Sequence, residues 1–128
     1  MVGLTQLNPM RKNRREFYCM DKFDDQYVLL QNMYEDTYYP QYLVDKIKWQ
    51  FIHLIEHLEG ANLKDLALVQ DKLDEFTMFI NSMQQEFWDQ DSEIETVASE
   101  SIAATLEYIL DWFEIDIPIE DALREREW

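Results

Sequence analysis

The sequence predicts an all-α fold, a compact bundle of four main helices plus a short C-terminal helix. Three observations predict it. The 128 residues include only two glycines and three prolines, too few for the turns of a sandwich or barrel, so long helices with few connections are favoured. Hydrophobic residues make up 47% and aromatics 14%, enough to fill one core and to exclude a largely disordered chain. Apolar residues recur at helical spacing along most of the chain. Only the connector Glu114-Ile115-Asp116-Ile117 alternates, and no strand is predicted.

The first helix is predicted from about Asp24 to Tyr34. Asp24 or Asp25 can cap it, and Tyr27, Leu30 and Tyr34 share one face. Pro40 suits the first position of a second helix, because its missing N–H costs nothing there. The apolar stripe of that helix is Leu43, Val44, Ile47, Phe51, Leu54, Ile55 and Leu58. Gly60 is expected just past its end, where left-handed backbone is common.

Asn62 is the candidate cap of a third helix. Leu66, Val69, Leu73, Phe76, Ile80, Met83 and Phe87 then alternate at spacings of three and four, a heptad seam. In so short a chain the seam is expected to pack inside the bundle. Dimerisation through it is the alternative, so the chain is read as a monomer or a homodimer.

The fourth helix is predicted from Glu93 to about Phe113. Ser92 followed by Glu95 has the spacing of a capping box, in which hydroxyl and carboxylate each bond the other residue's N–H. Ile94, Ala98, Ile102, Leu106, Ile109 and Phe113 form the inner face, and Ala98, Ala103 and Ala104 would let a neighbour approach closely. On the outer side Glu93, Glu100, Glu107, Asp111 and Glu114 fall within about 60° of arc. A short last helix starts near Pro118 and covers Ile119, Ala122 and Leu123.

Charge divides the chain in two. The net charge is −16, yet residues 1–22 carry five basic residues against two acids, a balance of +3 that leaves −19 on the rest. Residues 1–22 are therefore read as a basic N-terminal arm, and residues 23–128 as a single acidic helical domain. Between Lys72 and Arg124 there are 14 acids and no Lys or Arg. A field of one sign repels nucleic acid and anionic lipid and attracts basic partners. No nucleic-acid partner is expected. No run of ~18 apolar residues occurs, and the first ten residues lack a secretory pattern, so a cytoplasmic protein with no membrane span is expected. The lone Cys19 is read as an idle thiol, since it has no partner for an intramolecular disulfide.

Signals for chemistry are sparse. His53-Leu54-Ile55-Glu56-His57 places two histidines one helical turn apart, a spacing that can grip zinc. Both fall opposite the core arc, and a catalytic metal wants a walled cavity. Asp89, Asp91 and Glu93 have calcium-loop spacing, but Ile94 stands where that loop needs glycine, and a helix pattern follows. Tyr34, Tyr38, Tyr39 and Tyr42 surround Pro40 and are expected to pack at a corner of the core. There is no nucleophile elbow, phosphate-binding glycine loop or redox cysteine pair, and no cofactor is expected.

Met33-Tyr34-Glu35-Asp36-Thr37-Tyr38-Tyr39-Pro40, Leu43-Val44-Asp45-Lys46, Asp91-Ser92-Glu93-Ile94-Glu95-Thr96-Val97-Ala98 and the closing Trp128 together resemble an uncharacterised bacterial family of small acidic proteins. The resemblance runs from about Gln26 to Trp128; the basic arm and the two histidines depart from it. It implies a compact helical domain and supplies no activity.

The leading expectation is a non-enzymatic, immunity- or inhibitor-like binding module. Its acidic residues Glu93, Glu100, Glu107, Asp111 and Glu114 would meet a basic protein. The alternative is a small metal-dependent enzyme with His53 and His57 as ligands.

Overall fold

A computed structural model describes residues 22–128. The expected basic arm, apart from Lys22, lies outside the described residues, as does Cys19. Within them the chain forms α1 (Gln31–Tyr34), α2 (Gln41–Gly60), α3 (Leu66–Ser82), α4 (Gln84–Asp89), α5 (Thr96–Trp112) and α6 (Ile119–Ala122). No strand occurs among them, and the all-α compact fold is observed. None of these helices is long and apolar enough to cross a membrane.

Helices α2 and α3 pack side by side. Lys46, near the start of α2, binds Glu86, beyond the end of α3, at 2.8 Å, so the two helices run in opposite directions. All seven predicted stripe residues of α2 are buried. From the seam, Val69, Leu73, Phe76, Ile80, Met83 and Phe87 are buried, and the Phe51 and Phe76 rings meet at 4.6 Å. Leu66, at the first helical position, is 41% exposed. The seam is thus used inside the chain. Regular helix stops at Ser82, but Met83 keeps right-handed backbone (φ −86°, ψ −9°), so the spacing carries on through α4.

The starts of the first helix and of α3 differ from the sequence reading. Asp65 caps α3 by accepting the Leu68 N–H at 3.3 Å, whereas Asn62 accepts the Lys64 N–H in the connection. The first predicted helix is reduced to one turn. Asp24 accepts the Gln26 N–H at 2.9 Å, which makes a turn, and Leu30 takes left-handed backbone at φ 59°.

Residues 22–30 are held by tertiary contacts. The Phe23 ring lies 5.9–6.1 Å from Tyr27, Tyr108, Trp112 and Phe113. Tyr27 stacks on Tyr108 at 4.1 Å. The Trp112 indole donates to the Lys22 carbonyl at 2.9 Å, and the Tyr108 hydroxyl donates to Asp24 at 2.7 Å. Aromatic packing of this size overrides a weak local helix preference. Helix α1 in turn packs on α5 and α2, and α6 packs on α3 and α5.

Gly60 is the last residue of α2, not the residue beyond it, and Ala61 continues in extended backbone. Its backbone is not left-handed, and a Cβ there would meet nothing within 4 Å. Gly60→Ala is therefore expected to raise stability by about 0.5–1 kcal/mol in urea unfolding, by reducing the freedom of the unfolded chain. Phe51→Ala, at the centre of the α2–α3 contact, is expected to lower stability by about 3–5 kcal/mol in the same measurement.

Candidate functional site

The start of α5 gathers residues from three distant parts of the chain. The helix begins at Thr96, three residues later than the capping-box reading placed it. Glu95 is the cap: its carboxylate accepts the Val97 N–H at 3.1 Å. The same carboxylate oxygen accepts the hydroxyl of Tyr39, which is buried in the corner before α2. The capping acid is thereby fixed by a side chain 56 residues earlier.

Ser92 does not cap. It closes the ending of α4 instead. Asp91 takes left-handed backbone at φ 57°, its N–H bonds Trp88, and the Ser92 N–H bonds Phe87 at 2.8 Å. The Ser92 side chain is buried, and its hydroxyl has no hydrogen-bond partner. The hydroxyl belongs to a helix ending, and the cap passes to Glu95.

The chain end reaches the same place along α3. Gln70, Asp74, Thr77 and Asn81 form a polar stripe offset by one residue from the apolar seam. Gln70 donates to the Asp121 carbonyl at 2.8 Å, and Asn81 donates to the Glu125 carbonyl at 2.7 Å while accepting the Glu127 N–H. Arg124 grips both oxygens of Asp74, at 3.1 and 2.6 Å. Burial works against the Asp74 carboxylate, but the hydrogen bonds from Arg124 and Gln70 win and hold it below its ordinary value. The tail so placed brings Arg126 over the Trp128 ring, 5.7 Å from its centre.

Between this tail and α5 lies a groove of about 460 Å³. Glu95, Ser99, Glu100 and Ala103 line it from α5, and Arg126 and Trp128 from the tail. Glu100 is exposed beside an aromatic and aliphatic surface that Arg126 of the tail shares, and Glu95 is already engaged by Tyr39 and Val97. The side next to Glu100 suits a cationic side chain with an apolar stem. Sequence reasoning reached Glu100 but missed Arg126 and Trp128. The offset polar stripe of α3 was the available signal that the tail would be seated there.

The other predicted site residues fall as follows. Glu93, Glu100, Glu107, Asp111 and Glu114 are all exposed. Only Glu100, Glu107 and Asp111 belong to α5, where they extend over about 16 Å at 1.5 Å per residue. Glu93 precedes the helix, so the wheel does not place it. Glu114 lies beyond the helix in left-handed backbone at φ 57° and closes its ending. Among the described residues no ion pair reaches Glu93, Glu100 or Glu107.

His53 and His57 are exposed and open onto a second groove, of about 320 Å³, between α2 and α3. Among the described residues no group of three His, Cys, Asp or Glu stands ready to hold a metal. Of the four tyrosines around Pro40, Tyr39 is buried and Tyr34 half-buried, whereas Tyr38 and Tyr42 are exposed.

Two predictions follow from the cap. Ser92→Ala is expected to leave stability unchanged or raised, because it removes a buried, unpaired hydroxyl, while Glu95→Ala is expected to cost about 1–2 kcal/mol in chemical unfolding. A capping Ser92 would give the opposite order. The Tyr39 phenol is pushed above its ordinary value by burial, then by the hydrogen bond to Glu95 and the charge of that carboxylate. The unfolded chain ionises this phenol at about pH 10. The contribution of Tyr39 is therefore full below that pH and is lost as pH rises through the higher folded value. Stability measured above about pH 10 should fall more steeply for the parent chain than for Tyr39→Phe.

Residues 23–128 match the model of a family described as a family of unknown function, DUF5713. No curated protein and no solved structure matches the chain.

Proposed function

The chain belongs to this family of unknown function, DUF5713, and from that premise we propose that it is a cytoplasmic, non-enzymatic binding module whose acidic α5 face receives a basic protein partner, in the manner of an immunity or inhibitor protein. One observation carries the reading. Glu100 and Glu107 point outward from α5 without an ion pair among the described residues, and Glu100 borders the groove that also holds Glu95 and Trp128. A lysine or arginine of the partner would lay its stem against Ala103 and its charge on the Glu100 carboxylate, since Arg126 already covers the Trp128 ring and Glu95 is engaged by Tyr39 and Val97. Glu107 and Glu93 would meet further basic residues on either side.

The surrounding field supports the same reading. The net charge of −16 gives long-range attraction for a cationic protein, which speeds encounter more than it tightens the final complex. Structural work already occupies other acids: Glu95 caps a helix, and Asp74 holds the tail. Glu100 and Glu107 have no such task visible in the fold.

The test pairs chemical crosslinking with a binding measurement on the partner so found. Reversing both charges (Glu100→Lys with Glu107→Lys) is expected to slow association at least tenfold at low salt, and added salt should weaken the parent complex, since exposed charges are screened within about 10 Å at 0.1 M. Circular dichroism of the double variant should match the parent. Unchanged association of a correctly folded double variant would refute the proposal.

A further inference from the structure

The outward side of α2 carries aromatic residues that neither the core nor the acidic face of α5 uses. We propose that this side pairs with the same side of a second copy of the chain, the two α2 helices running antiparallel, in a reversible homodimer.

Helix geometry defines the surface. Tyr42, Lys46, Trp49 and His53 follow one another at spacings of four, three and four within α2. At 100° per residue they fall within about 60° of arc, on the side away from the buried stripe. Spacing of this kind makes a helix–helix seam. It leaves two large rings in water, with Tyr42 51% and Trp49 58% exposed, and His53 lies beside Trp49 at 6.3 Å between ring centres. Tryptophan and tyrosine are among the residues most enriched where proteins meet.

Charge selects the occupant. A second copy brings the same net charge of −16, so two copies meet most readily through a face poor in acids. The 20 residues of α2 hold three acids against two lysines, whereas 14 acids and no Lys or Arg lie between Lys72 and Arg124. The seam itself holds no acid, and its Lys46 disfavours the basic partner drawn to α5.

Charge also selects the direction. Parallel helices would set Lys46 against Lys46. Antiparallel helices lay Trp49 of each copy on Lys46 of the other, and Tyr42 on His53. The Lys46 ammonium is held by both carboxylate oxygens of Glu86 at 2.8 Å, so its stem offers a fixed ledge for the indole, with cation–π attraction added. The Tyr42 hydroxyl and the His53 imidazole can each donate or accept a hydrogen bond. Two-fold symmetry repeats both contacts. Four positions a side make a small interface, under about 1,200 Å² in total, which is why the pairing is reversible.

Sedimentation of the whole chain over a range of concentrations tests the dimer. The mass is expected to rise from one chain toward two, and Trp49→Ala should weaken the pairing at least about tenfold. Trp49 is exposed, and unchanged circular dichroism will show that the variant is folded. Added salt should tighten the dimer, because it screens the repulsion between two acidic chains. In a Cys19→Ser background, Tyr42→Cys and His53→Cys chains should cross-link faster when mixed than either does alone. A single-chain mass at every concentration overturns the proposal, and so does a dimer that Trp49→Ala leaves intact. A dimer that salt dissociates overturns it too, since the contact would then be made by charge, as between the basic residues 1–22 of one copy and the acidic domain of another. Faster cross-linking of either chain alone overturns the antiparallel register.

Discussion

The Tyr39–Glu95 hydrogen bond is the constraint on which the α5 side of this molecule depends. It joins the corner before α2 to the first turn of α5, and it sets where α5 begins. Ala98, Ile102, Leu106 and Ile109 turn inward and Glu100 and Glu107 outward. A carboxylate at a helix start is favoured by the helix dipole as well as by the N–H it accepts. A buried tyrosine that donates to the same carboxylate makes the cap part of the core and not a surface decoration.

Helix endings present a related problem in a chain with so little glycine. Helices α4 and α5 both end through a residue in left-handed backbone, and neither residue is glycine: Asp91 ends one and Glu114 the other. Such backbone costs roughly 1–2 kcal/mol for an ordinary residue. In each case the N–H of that residue and the N–H of the one after it return to the last turn, and the flanking side chains are buried, Phe87 with Ser92 and Leu110 with Ile115. Burial and backbone hydrogen bonds together offset the strain. Leu30, also left-handed, is itself buried at the start of α1.

The acids of the chain separate by task once their partners are known. Glu95 and Asp74 are committed to a helix cap and to the seat of the tail. Glu59 holds the entering segment through the Phe23 N–H. Glu100 and Glu107 remain on the surface, where a field of one sign acts on whatever approaches. The strong negative charge is thus the sum of a few structural carboxylates and of a larger exposed set.

The sequence by itself determined the helical class, the inner faces and the outward acids. The seven residues of the α2 stripe and six of the seven in the α3 seam are buried as their spacing requires, because amphipathic periodicity depends only on helix geometry. The start of α5 was legible to within three residues, but its cap was not. Ser92 and Glu95 both have capping chemistry, and only the distant Tyr39 and the ending of α4 decide between them. The first helix shrank for a similar reason, since Phe23 and Tyr27 find aromatic partners on α5 that no local pattern can announce. The groove beside Glu100 was equally hidden. It exists because the tail crosses α3 on its polar stripe and brings Trp128 to α5, a meeting of residues far apart in the chain that tertiary packing alone decided.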